Sequence, residues 1–149
     1  MAPLIISHRG KVDLSSSENS LVGIQEAIDL GVNMIEFDVR NTVNDVLVCY
    51  HDESIKGKPI SHIEYEEMKA LDKDVCKLEE VIELCKNKVG VNVEIKEEGY
   101  EEKVIDLVVP NFSYVDILIT SFNPKVIRKI KLTDPKLTTG FLIGESFSY

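Results

Sequence analysis

The stretch Ile35-Glu36-Phe37-Asp38-Val39 alternates apolar residues with two carboxylates. Side chains of a β-strand point alternately to its two faces, so the stretch predicts a strand with both carboxylates on one face. Further islands also carry polar residues near short, mostly β-type apolar runs: Ser7-His8-Arg9-Gly10, Glu18-Asn19-Ser20-Leu21, Tyr50-His51-Asp52 and Val93-Glu94-Ile95-Lys96. Parallel α/β folds build active sites at the carboxyl ends of their strands, so the islands predict one shared site.

Composition limits the functions that this site can serve. With 149 residues, 44% hydrophobic and 29% charged, the chain is expected to form a single globular domain over residues 1–149. The excess of 26 acidic over 17 basic side chains argues against nucleic acid as a partner. No apolar run approaches the roughly 18 residues of a membrane span, and the start lacks a charged signal-peptide head, so we expect a cytoplasmic protein.

Strands and helices are predicted to alternate along the chain. The apolar patterns predict strands over 3–7, 33–39, 91–96, 115–120 and 139–143, and helices over 21–30, 63–70, 78–86, 100–109 and 124–132. The β-type run over 46–50 follows strand two too closely for a crossover helix, so it predicts an antiparallel hairpin that turns at Asn44-Asp45. Counting outward from that turn brings Asp38 next to His51, an acid beside an imidazole.

In this order, the islands resemble the glycerophosphodiester phosphodiesterases, phospholipase C-like enzymes. That family has a first-strand His-Arg-Gly, a Glu-Asn-Thr before the first helix, a second-strand Glu-x-Asp, a His-Asp closing the hairpin arm and a third-strand Glu-x-Lys. Here only the threonine differs, as Ser20. The resemblance implies an α/β fold of TIM-barrel type, with about five of eight barrel strands present plus the hairpin arm. The family's later tryptophan-threonine and threonine-aspartate strands are absent, so we expect a C-terminally incomplete domain.

Three carboxylates are the predicted metal ligands. Glu36, Asp38 and Glu94 form an all-oxygen set, which suits Mg²⁺ or Ca²⁺ better than zinc, and the resemblance implies the same ligands. Without a cation, their mutual repulsion would be costly. Arg9 and Lys96 then offer positive charge to the phosphate of a substrate, Arg9 in a bidentate manner.

His8 and His51 are the predicted catalytic proton carriers, because an imidazole titrates near neutral pH. The resemblance implies that a glycerol hydroxyl attacks the phosphorus while one histidine accepts its proton and the other protonates the departing alcohol. Water then opens the cyclic phosphate to glycerol phosphate, with the histidine roles reversed. The sequence leaves open which histidine performs which step, which alcohol departs and which divalent ion is native.

Each assignment has a structural alternative. Glu18 lies near the substrate by resemblance, but Glu18 and Asn19 are equally well explained as a helix cap. His62 and the acidic residues around it are interpreted as a solvated surface, and Ser121 as a turn residue. Glu-x-Asp and Glu-x-Lys pairs are also common on exposed strands, although the apolar neighbours here favour buried ones.

The function therefore has three interpretations. The first is metal-dependent hydrolysis of small-molecule glycerophosphodiesters. The second is a non-catalytic relative that serves as a binding or assembly module, and the third is a barrel related to phospholipase D or sphingomyelinase that acts on acylated lipid. Because a parallel sheet of five strands has exposed edges, we also expect a homo-oligomer or association with a separate C-terminal portion.

Overall fold

The computed structural model describes residues 3–13 and 17–144, along which strands and helices alternate. The strands are β1 (Ile6–His8), β2 (Met34–Asn41), β3 (Leu47–Cys49), β4 (Ser54–Ile55), β5 (Lys58–Pro59), β6 (Cys76–Lys77), β7 (Gly90–Ile95), β8 (Ile117–Ser121) and β9 (Thr138–Phe141). The helices are α1 (Leu21–Asp29), α2 (Tyr65–Leu71), α3 (Leu78–Cys85), α4 (Glu101–Val108) and α5 (Pro124–Thr133). Short 3₁₀ turns over Ile60–His62 and Tyr114–Asp116 precede α2 and β8.

Five strands form a parallel sheet in the order β1-β2-β7-β8-β9. Single helices connect β1 to β2, β7 to β8 and β8 to β9, while the longer connection from β2 to β7 contains the hairpin arm, α2 and α3. Within the described residues the sheet is open, because β1 pairs with β2 alone and β9 with β8 alone. The predicted α/β fold, a partial barrel of TIM type, is confirmed.

The two faces of β2 explain how the barrel wall positions polar groups. Ile35, Phe37 and Val39 are fully buried in the main apolar core, which also contains the inner faces of α1, α3, α4 and α5. Glu36 and Asp38 alternate with them and therefore lie on the opposite face. Both faces are buried, but only the apolar residues belong to the core, which confirms the predicted separation of apolar and charged faces on this strand.

The hairpin register differs from the prediction by one residue. Val39 pairs with Cys49, and the N–H of Tyr50 donates to the carbonyl of Asp38 at 3.1 Å, so Asp38 is opposite Tyr50 rather than His51. The cause is the loop length. Thr42 bonds to Val46, which leaves a three-residue loop with Asp45 at φ 63° instead of the expected two-residue turn.

The hairpin arm has a small core of its own. β3 pairs with the second half of β2 on one side and with β6 on the other. β6 is a two-residue strand that the sequence pattern did not predict. Beneath it, a second apolar cluster joins the arm to α2: Val48, Ile55, Ile60, Ile63, Tyr65, Met68 and Val75. The three cysteines are buried free thiols, and Cys49 on β3 is the register partner of Cys76 on β6. No helix in the described part of the chain has the length and apolar character to cross a membrane.

Candidate active site

Strand register brings the predicted carboxylates together. Asp38 on β2 pairs with Glu94 on β7, and Glu36 lies two residues earlier on the same face of β2. One oxygen atom from each of Glu36, Asp38 and Glu94 lies within 4.8 Å of the other two, and all three residues are buried. Oxygen ligands of Ca²⁺ lie about 2.3–2.6 Å from the ion, so this spacing fits a single divalent cation.

Of the three carboxylates, Asp38 has the most polar contacts with other residues. The ammonium of Lys96 lies 2.7 Å from its Oδ1, while Arg9 Nε is 3.3 Å from Oδ2. Asn19 clamps the residue from both sides, since its amide donates to Oδ2 at 2.9 Å and accepts the Asp38 backbone N–H at 3.0 Å. Burial opposes the charge, but the contacts with Lys96, Asn19 and Arg9 outweigh it and lower the pKa of Asp38.

Glu36 has the opposite electrostatic environment. Burial is the largest effect and raises its pKa from 4.5 to about 7. The backbone N–H of Arg9 donates to its Oε2 at 2.9 Å and lowers the pKa, while the charges of Asp38 and Glu94 raise it. His8 Nε2 lies 3.9 Å from the same oxygen, with its side chain 73% exposed. Glu36 is thus a buried acid that a cation would convert into a ligand by displacing its proton.

Lys96 provides a counter-charge within the cluster. Its ammonium donates to Glu94 Oε1 at 2.5 Å in addition to its contact with Asp38. The contact with Asp38 Oδ1 at 2.7 Å is an ion pair with a fully buried oxygen. A buried acceptor oxygen beside two other carboxylates is the donor set expected at a hard cation site, and the residues present fit such an ion.

The loop between β1 and α1 brings Arg9, Glu18 and Asn19 to this cluster. Arg9 and Asn19 both adopt left-handed backbone conformations, with φ of 57° and 54°, and the Asn19 N–H donates to the Arg9 carbonyl at 2.8 Å. Such conformations are uncommon for non-glycine residues and concentrate at functional sites. Glu18 accepts from Arg9 Nη1 at 2.9 Å.

Gly10 allows this loop to close against α1. It has φ of +64°, and a Cβ atom at this position would lie 2.5 Å from Cγ1 of Ile24 and 3.0 Å from the Ile24 backbone nitrogen. A side chain would therefore be excluded both by the backbone conformation and by the helix. The structure thus explains why position 10 is a glycine, which the sequence pattern alone did not explain.

The helix cap is Ser20, whose Oγ accepts the Gly23 N–H at 3.1 Å. Glu18 and Asn19, for which capping was an equal interpretation, instead contact the charged cluster. Ser121 is the last residue of β8, where its buried hydroxyl donates to the Ile95 carbonyl at 2.6 Å and accepts the Asn123 N–H of the following turn at 3.0 Å. His62 is exposed at the end of a 3₁₀ turn.

His51 follows the hairpin and lines a cavity whose lining does not include the three carboxylates. Its Nδ1 is 2.8 Å from Asp52 Oδ1, so the acid that meets this imidazole is Asp52 and the predicted pairing with Asp38 is wrong. A cavity of about 340 Å³ is lined by His51 together with Glu18 and Asn19. Direct contacts link the other predicted site residues, namely His8, Arg9, Glu18, Glu36, Asp38, Glu94 and Lys96.

Two residues of the islands have site contacts that were not assigned from the sequence. Asn19 binds both the backbone and the carboxylate of Asp38 across 19 positions of sequence. Asp52 orients the His51 ring, and an acceptor at Nδ1 leaves Nε2 as the basic nitrogen. Both residues belong to the quoted motifs, and a polar residue beside a proposed catalytic group was the available signal.

Comparison with known proteins places this geometry in a family. The model of the glycerophosphoryl diester phosphodiesterase family matches residues 8–146. A glycerophosphodiester phosphodiesterase of Caldanaerobacter subterraneus subsp. tengcongensis is 32% identical over 164 residues, covering 95% of this chain and 67% of the relative.

Solved structures show the same fold. A glycerophosphodiester phosphodiesterase of Thermotoga maritima is 27% identical with a TM-score of 0.83, covering 98% of this chain and 65% of that protein. A phosphodiesterase of Oleispira antarctica, solved with its product sn-glycerol-3-phosphate, is 22% identical with a TM-score of 0.81, covering 98% of this chain and 68% of that protein. The chain thus spans about two thirds of the length of these relatives. It belongs to the glycerophosphoryl diester phosphodiesterase family.

Proposed function

We propose that this chain hydrolyses glycerophosphodiesters to glycerol phosphate and an alcohol, with a divalent cation held by Glu36, Asp38 and Glu94. The observation that carries the proposal is the carboxylate cluster with atoms within 4.8 Å, bordered by Arg9 and Lys96, which follow the two strands on either side of β2. Mg²⁺ and Ca²⁺ are equally compatible with oxygen ligands of this kind. When bound, such an ion would polarise oxygen atoms of the substrate as a Lewis acid.

Arg9 and Lys96 are the proposed phosphate-binding residues. Both side chains are largely buried, 20% and 11% exposed, so their charges act in a medium of low dielectric constant. The guanidinium of Arg9 has five N–H donors, of which Glu18 and Asp38 occupy only part, so donors remain for a phosphoryl oxygen. Glu18 then acts on the substrate side chiefly by orienting Arg9.

His8 and His51 are the proposed catalytic acid and base. His8 is exposed next to the ligand Glu36, and His51 borders the cavity that reaches Glu18 and Asn19. In this proposal one imidazole serves the attack and the other the departure of the alcohol, as acid–base catalysis requires. With Asp52 accepting at Nδ1, His51 would exchange its proton through Nε2.

The decisive experiment is hydrolysis of glycerophosphocholine by the 149-residue chain with Mg²⁺, Ca²⁺ or a chelator. We expect cation-dependent release of glycerol phosphate, lost in Glu36→Gln and retained in Glu66→Gln, a control at an exposed position on α2. A phospholipid with intact acyl chains tests the lipid-hydrolase alternative, which preferential cleavage of that substrate would favour. Cation binding without turnover of either substrate would favour a binding or assembly module.

Association is the second part of the proposal. The outer edges of β1 and β9 have no partner strand within the described residues, and apolar side chains near both remain exposed, Ile5 at 54% and Phe141 at 53%. Unpaired edges favour pairing with another chain. We propose a homo-oligomer or a complex with a separate portion that supplies further barrel elements, acting in the cytoplasm on a small-molecule substrate and without nucleic acid.

A further inference from the structure

Arg40 joins three polypeptide segments above the carboxylate cluster. It follows Asp38 by two residues on β2, so its side chain leaves the same face of the strand as Glu36 and Asp38. Its Nε and Nη2 lie 3.0 and 2.7 Å from the carbonyl oxygen of His51, and its Nη1 forms an ion pair with Glu97. The guanidinium therefore ties His51 to the loop that follows β7.

Tyr100, the residue that precedes α4, completes this network. Its hydroxyl lies 2.6 Å from Glu97 Oε2 and 2.8 Å from the Val39 carbonyl, and it accepts the Glu97 N–H at 3.1 Å. Tyr100 is only 4% exposed, so Glu97 is held by a buried residue. Arg40 is in turn held by Glu97, which gives its guanidinium a fixed position.

Arg40 anchors the peptide of His51 itself, while the neighbouring backbone is held at Tyr50 by the Asp38 carbonyl and at Glu53 by the Ile60 N–H. Residues 50–53 belong to no strand or helix, in contrast to β3 before them and β4 after them. Donation of two N–H groups from one guanidinium to one carbonyl restrains the peptide in both distance and direction. Asp52 restrains the imidazole from the next position of the same loop, so the contact that holds the ring follows the backbone that Arg40 holds.

We propose that Arg40 is a positioning residue for His51, with Glu97 and Tyr100 as its supports. The inference rests on the proposed function, in which His51 is a proton carrier. Proton transfer requires atoms in hydrogen-bond reach, and a displacement of about 1 Å can lower a rate by about 10²-fold. Arg40 acts through the His51 backbone and makes no contact with substrate in this scheme.

Arg40→Met removes the donors while keeping an unbranched side chain. We expect kcat to fall about 10²-fold with a smaller change in KM, and Arg40→Lys to recover part of the loss. Glu97 is 46% exposed, so its charge remains solvated after the substitution and the variant should fold. Cation-induced stabilisation should persist because the three carboxylates are unchanged. Lys103→Met, which removes an ion pair with Asp45 at the hairpin loop, is the matched control.

A double-mutant cycle with His51→Ala separates this inference from the proposed function. If Arg40 acts through His51, Arg40→Met should cost less than about 3-fold in the His51→Ala background. An equal 10²-fold loss in both backgrounds would overturn the positioning role and leave His51 as catalyst. Full activity of His51→Ala would overturn the proposed role of His51.

Imidazole nitrogen NMR supplies a readout that needs no turnover. In the wild type at high pH we expect His51 to show the Nδ1–H tautomer, fixed by Asp52, and in Arg40→Met a shift toward the tautomer mixture of free imidazole. The nitrogen shifts of His62 should be the same in the wild type and in Arg40→Met. If wild-type turnover is absent, the proposed function fails, and unchanged His51 nitrogen shifts in Arg40→Met would still overturn the positioning role.

Discussion

Replacing Glu36 by glutamine is expected to stabilise the cation-free protein near neutral pH. The Glu36 side chain is 10% exposed and its pKa is raised from 4.5 to about 7 by burial, with the charges of Asp38 and Glu94 adding to the effect. Ionisation of Glu36 therefore costs the folded state free energy that it does not cost the unfolded chain. Glutamine has nearly the same shape, keeps an oxygen for the Arg9 N–H and removes the charge.

The sign and size of the expected change in unfolding free energy follow from proton linkage. The raised pKa means that Glu36 contributes stability fully below pH 4.5 and loses it as the pH rises to about 7. A shift of about 2.5 pH units corresponds to at most about 3.5 kcal/mol, since each unit is worth about 1.4 kcal/mol. We therefore expect Glu36→Gln to match the wild type at about pH 4 and to exceed its unfolding free energy by up to about 3.5 kcal/mol at about pH 8.

Urea unfolding in chelator measures this difference. The chain has no tryptophan, so far-UV circular dichroism is the suitable probe. Glu66→Gln removes one exposed carboxylate and serves as the control. Equal stability of Glu36→Gln and wild type at both pH values, or lower stability of the variant at about pH 8, would refute the assignment of a buried, charge-destabilised acid.

Adding a cation should make the wild type more stable than Glu36→Gln at about pH 8. At 1,000 times its dissociation constant, a ligand specific for the folded state stabilises it by about 4.1 kcal/mol, more than the deficit of the wild type at about pH 8. Wild type should gain this at about pH 8 and less below about pH 7, where protons compete for Glu36. Glu36→Gln should gain little. An identical melting temperature of the wild type in chelator and in millimolar Mg²⁺ or Ca²⁺ would contradict the metal assignment.

Four further outcomes are expected. His8→Ala or His51→Ala should lower turnover by about 10² to 10⁴ with His62→Ala unaffected; equal losses at all three positions, or none at His51, would contradict the acid–base assignment. Asn19→Ala should lower the unfolding free energy in chelator by about 2–3 kcal/mol, because Asp38 loses two hydrogen bonds, and an unchanged urea midpoint would exclude the clamp. Lys96→Met should tighten cation binding about tenfold in calorimetry while lowering turnover, and weaker binding would show that Lys96 does not compete for the ligands. Sedimentation at micromolar concentration should show an assembly; a compact monomer with full activity would disprove association through the edges.

Much of the barrel wall could be predicted because each of its features is local in sequence. The alternation over residues 35–39 defined which side chains of β2 face the core, and parallel strand ends implied that Glu36, Asp38 and Glu94 would meet. The hairpin register could not be predicted as well. A loop of two or three residues fits the same Asn44-Asp45 signal, and a difference of one residue changes which side chain is opposite Asp38.

The sequence pattern could not predict contacts between segments that are distant along the chain. The two-residue strand β6 exists because β3 offers it a partner edge, and nothing within residues 76–77 indicates a strand. Asn19 was interpreted as a possible cap because capping residues preceded a helix, but Ser20 caps α1 and leaves Asn19 free for Asp38. Such choices depend on which groups meet in space, and local propensity gives no information on that.

The charge balance of the cluster suggests how cation and substrate binding are coupled. Lys96 contacts oxygens of both Asp38 and Glu94, two of the three proposed ligands. A divalent cation would draw on the same oxygens and repel the ammonium, which weakens the hold of the carboxylates on Lys96. A phosphodiester carries the negative charge that would then attract the ammonium. We propose that Lys96 serves as internal counter-ion before cation binding and as a phosphate-binding group afterwards, which would account for a cationic side chain inside the proposed metal-binding cluster.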